Sequence, residues 1–71
     1  MEYTTRELVE VFAVNNIKNC IRVRHFNTAQ DFLWINYEYE FEDKLETAKQ
    51  CFLIIDYITF VLNYLLNERT S

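Results

Sequence analysis

The sequence predicts an α+β domain in which a three-stranded antiparallel meander packs on one long C-terminal helix. Three observations predict it. Residues 8–14, 20–26 and 32–41 alternate in character with a period of two, as half-buried strands do. The connectors between them, 15–19 and 27–31, carry Asn and are of hairpin length. Residues 43–68 instead space their apolar side chains as a helix does.

The strand reading has an internal test, because directly opposed residues of an antiparallel pair share a face. Pairing Val14 with Cys20 sets Val9, Val11 and Ala13 beside Ile21, Val23 and His25. Pairing Phe26 with Phe32 sets Ile21 and Val23 beside Leu33, Ile35 and Tyr37, with Tyr39 and Phe41 beyond. One face of the meander is then almost wholly apolar. The other carries Glu10, Arg22, Arg24, Glu38 and Glu40, with bases on the middle strand and acids on its neighbours, so the arginines are neutralised across the strands.

The helix over 43–68 opens on Asp43 with Glu46 three residues on, a capping-box variant. Leu45, Ala48, Phe52, Ile55, Leu62 and Leu66 line one stripe. Ile54, Tyr57, Ile58, Val61, Tyr64 and Leu65 extend the apolar arc past what one small sheet can cover. Large exposed apolar surface marks interfaces, so these six residues are expected at a homodimer seam between helices. The run from Cys51 to Leu66 is too short to span a bilayer and holds Asp56 near its centre; no membrane partner is expected.

An alternative concerns residues 4–15. Thr4 and Glu7 form a capping-box pattern, and Leu8, Val11 and Phe12 fall on one helical stripe. If these residues are helical, the architecture is αββα. The run Tyr3-Thr4-Thr5-Arg6-Glu7-Leu8-Val9-Glu10 resembles the opening of helix-turn-helix domains. The resemblance extends through Ala13-Val14 and departs from the pattern at Asn15-Asn16-Ile17. It implies a second helix after the turn and a small dimeric DNA-binding regulator, with Arg22 and Arg24 as phosphate contacts.

Composition narrows the function classes. The chain has 71 residues, read as one domain over 1–71, with 51% hydrophobic and 17% aromatic residues, too apolar for a disordered tail. Gly and Pro are absent, so no glycine-rich phosphate loop exists, and turns fall to residues such as Asn and Asp. Net charge is −4. Residues 1–26 sum to +1 and residues 27–71 to −5. The acidic half disfavours direct nucleic-acid binding and suits a basic protein partner, for example one that itself binds nucleic acid. The start of the chain lacks a secretory pattern. A cytoplasmic setting with Cys20 and Cys51 as free thiols is therefore expected.

Candidate chemistry is sparse. His25 is the one histidine, and no third group is placed to orient a pairing with Cys20 or Cys51. Two Cys and one His at wide spacing do not match a zinc site, and Cys51 is expected to fill core on the helix. No catalytic residue, metal or cofactor is assigned, and the chain is not expected to be an enzyme. Glu38, Glu40, Glu42 and Asp43, with Trp34, form the expected partner-docking face. The functional expectation is a small acidic protein-interaction module that binds and occludes a host protein, by steric cover or by imitating a nucleic-acid backbone. Abundant Phe, Tyr, Ile and Asn without Gly or Pro suggest an AT-rich gene, and hence a phage or similar mobile element. A structural subunit of a larger assembly is the third reading.

Overall fold

The computed structural model describes residues 2–70. The chain runs α1 (Thr5–Asn16), β1 (Cys20–Ala29), β2 (Phe32–Phe41), β3 (Lys44–Leu53), α2 (Ile54–Thr70). The sheet is antiparallel in the order β1-β2-β3. The class is therefore α+β, a three-stranded meander followed by a C-terminal helix, with a further helix at the N-terminus. Extents of 38 × 31 × 17 Å correspond to two layers, sheet and helices.

Residues 8–14, expected as the first strand, are the middle of α1. The capping box decides the matter. The Thr4 hydroxyl accepts from the Glu7 amide at 3.1 Å, and Glu7 Oε1 accepts from the Thr4 amide at 3.0 Å, so two otherwise orphaned donors are satisfied reciprocally. Val9, Phe12, Ala13 and then Ile17 form the buried stripe, one position off the Leu8–Val11–Phe12 stripe read from sequence. Asn15 and Asn16 belong to the last turn, where their side-chain amides donate to the carbonyls of Val11 and Phe12 at 2.7 and 2.8 Å. Asn19, at φ 62°, then swings the chain into β1. The second helix that the helix-turn-helix resemblance implied is absent, since Cys20 opens a strand.

The third strand comes instead from residues 44–53, expected as the start of the long helix. Lys44–Gln50 are mostly good helix formers, but intrinsic propensity is weak against tertiary demand. β2 buries Leu33, Ile35 and Tyr37, and a two-stranded ribbon could not sustain that. Glu42 and Asp43, at φ 50° and 64°, make a two-residue hairpin turn, and all ten residues of β3 then pair with β2 without a break. Asp43 is thus a turn residue and not a helix cap. Helix α2 starts at Ile54 with no loop after Leu53. Its first amide donates to the Asp31 carbonyl in the β1–β2 turn at 2.7 Å.

The β1–β2 turn is Gln30–Asp31, tighter than the connector read from sequence, and Ala29 pairs with Phe32 in place of Phe26. Register shifts between Cys20 and Arg22 and between Val23 and His25 break the parity of β1. A bulge leaves one residue unpaired and moves later side chains to the other face. The core consequently takes Cys20, Val23 and, half-buried, Phe26, while Ile21 and His25 are exposed. On β2 the odd face is as expected for Leu33, Ile35 and Tyr37, with Tyr39 half-buried; Phe41 is exposed. Phe12 joins the two layers, its ring meeting those of Phe52, Tyr57 and Phe60 edge to face at 5.0, 5.5 and 5.5 Å.

Candidate interaction surface

Both helices lie on the core face of the sheet, so the opposite face is open. Register places Arg22, Glu38 and Thr47 on one rung of it, then His25, Asn36 and Lys49, then Asn27, Trp34 and Cys51, then Ala29, Phe32 and Leu53. Glu38 is only 8% exposed although charged. Its carboxylate accepts from Arg22 Nε and faces Arg24 Nη1 at 3.6 Å. The arginines are neutralised across the strands as their alternation suggested, and Glu38 is spent on them. A shallow open cleft of about 390 Å³ lies beside His25, Asn27, Trp34, Asn36 and Lys49.

The remaining acids of the expected docking set sit at the far tip of the sheet. Glu40, Glu42 and Asp43 are exposed there with Phe41, Leu45 and Glu46. Trp34, 46% exposed, is six residues along β2 from Glu40, about 20 Å at strand rise. The structure therefore divides the five expected docking residues among the middle of the open face, the Glu38 ion pair with the exposed Arg22 and Arg24, and the hairpin tip.

The six residues expected at a seam are also divided. Ile54 and Tyr57 pack on the core. Tyr64 stacks on Phe60 at 6.0 Å and stands edge-on to Tyr3 at 5.8 Å. Val61 and Leu65 are half-buried. Only Ile58 of the six faces outward, in a row with Ile55 and Leu62; the three are 43%, 58% and 59% exposed. Leu66, one turn on, is also exposed. At 3.6 residues per turn this row points roughly 150° away from the Tyr57–Phe60–Tyr64 row, so one core cannot receive both. The sequence did show the excess apolar arc; it could not show which edge of the arc the chain itself would use.

Tyr3 ties the start of the chain to the end of α2 by donating its hydroxyl to Glu68 Oε1. That bond to a carboxylate, with burial adding to it, holds the phenol well above its ordinary range. Cys20 is buried, and desolvation, helped by the Glu10 charge, pushes its thiol up. Cys51, expected in the core, is exposed on the open sheet face, because β3 replaced the helix there. His25 and Cys51 lie on strands separated by β2, about 10 Å apart across the sheet, and Cys20 points to the other face. No nucleophile–base pair is assembled from these three. Among the described residues no group of three or more His, Cys, Asp or Glu side chains could hold a metal, and no helix is long and apolar enough to cross a membrane.

Against this geometry, no protein-family model, no curated protein and no solved structure matches the chain.

Proposed function

We propose that this chain is a small protein-interaction module that works through the outward face of α2. One observation carries the reading: Ile55, Ile58 and Leu62 form an exposed apolar row on a helix whose opposite side already fills the core. Exposed apolar surface arranged in a row marks an interface more than scattered single residues do. The acids at the hairpin tip, Glu40, Glu42 and Asp43, support a secondary contact that favours a basic region of the partner, and the net charge of −4 works against non-specific nucleic-acid binding. Occlusion of the partner is then steric.

Affinity capture with the wild type and with Ile58→Glu tests the reading. A protein retained by the wild type and lost by the variant is the expected result. Identical capture by both removes the α2 row from the function.

A further inference from the structure

The partner that best fits the outward row is a second copy of this chain. We propose, building on the interaction-module reading, that the protein is a symmetric homodimer joined along α2. Three observations converge on it. First, the chain exposes 5450 Å², whereas a folded monomer of 8.7 kDa ordinarily exposes about 4700 Å². The excess of about 700 Å² is close to the ~800 Å² that each partner buries in a standard interface.

Second, the exposed Ile55, Ile58 and Leu62 follow a three-four spacing. That is the a/d seam of helices that pair with their own kind, β-branched residues and leucine filling one another's holes. A two-fold interface needs a patch complementary to itself, and a row of Ile and Leu is complementary to its own copy. Third, the seam has little charge to desolvate. Between Ile54 and Leu66 the one Asp, Glu, Lys or Arg is Asp56. It lies with Thr59, Asn63 and Asn67 on the polar arc, off the row.

The electrostatics give the dimer a signature. Each copy carries −4, so two copies repel, and added salt screens the repulsion. The dimer therefore tightens as ionic strength rises, opposite to a complex held by charge.

Sedimentation equilibrium across a concentration series, at low and high salt, tests this. The wild type is expected at the mass of two chains. Leu62→Glu is expected at the mass of one, with an unchanged far-ultraviolet spectrum. Val14→Glu, an exposed change on α1 outside the row, stays at two. A wild type at one-chain mass throughout overturns the proposal, as does a two-chain Leu62→Glu. If Leu62→Glu loses its folded spectrum, Leu62→Ser is read in its place by the same criteria. An apolar dye separates the two readings. A monomeric wild type that binds the dye, with binding lost in Leu62→Glu, leaves the row as a docking face for a different protein. A monomer without dye binding overturns the interaction-module reading too.

Discussion

The ring of Phe12 meets that of Phe52 edge to face, centroids 5.0 Å apart and planes at 81°. This contact holds α1 against the end of β3, and Phe12 is 2% exposed. Phe12→Ala is expected to lower stability by about 3–5 kcal/mol, the usual penalty for emptying such a site. A domain of this size has a total of about 4–10 kcal/mol, so the variant is largely unfolded in mild urea. Phe12→Leu loses less because it keeps most of the volume. Urea melts followed by circular dichroism measure both; equal midpoints for wild type and Phe12→Ala would contradict the packing.

The capping box makes part of the stability pH-dependent. The Thr4 amide and hydroxyl hold the Glu7 carboxyl below its ordinary value. A group whose folded pKa is depressed contributes fully above its unfolded pKa, and the contribution disappears as pH falls through the folded value. Stability should therefore start to fall as pH drops past the ordinary carboxylate value and go on falling to the lower folded value, and Glu7→Gln should flatten that part of the stability profile. Thr4→Ala, which removes the cap, is expected to cost about 1 kcal/mol at neutral pH. A Glu7→Gln profile that overlays the wild type at acid pH would show the box to be inert.

The two thiols should separate cleanly. Cys51 is exposed and Cys20 is buried with its thiol pushed up, and the thiolate is the reacting form. An aromatic disulfide reagent is expected to label one thiol rapidly in the native protein and the second only on unfolding. Cys51→Ser should remove the rapid phase. Two equally fast thiols would mean that Cys20 is not in the core.

The β2–β3 turn holds two side-chain-bearing residues in the left-handed region, Glu42 at φ 50° and Asp43 at φ 64°. Each pays a steric penalty that Asn or Gly there largely avoids. Glu42→Asn with Asp43→Gly, the pair this hairpin geometry favours, is expected to raise stability by about 1 kcal/mol. A lower urea midpoint for the double variant would count against a two-residue turn.

The class, the strands beginning at Cys20 and Phe32, the C-terminal helix from Ile54 on and, as an alternative, the helix over 4–15 were legible in the sequence; the strand over 44–53 and the facing of β1 were not. β2 spans Phe32–Phe41 as the alternation indicated, because a central strand with one buried face shows its period of two undisturbed. Leu8 to Val14 also alternate, yet the Thr4–Glu7 cap and the Val9–Phe12–Ala13 stripe outweigh them. Two adjacent bulges in β1 gave a burial spacing of three, at Cys20, Val23 and Phe26, and no glycine marked either one. Residues 44–53 place their apolar side chains at 45, 48, 51, 52 and 53, a spacing closer to a helix than to an alternating strand, and the need of β2 for a second neighbour overrides it. For the surface, the acidic run from Glu38 to Asp43 is read directly from the sequence. Its division between an ion-paired Glu38 and an exposed tip depends on which strand faces it, which composition does not record.

The junction of Leu53 and Ile54 has a mechanical consequence. With no connector between β3 and α2, and with the first helical amide bonded to the neighbouring hairpin, α2 is anchored at its first residue to both. Any load applied to the helix is transmitted straight into the edge strand. Whatever grips the outer side of α2 therefore fixes the orientation of the entire sheet, and an assembly built through it would be stiff, its subunits held at one set angle.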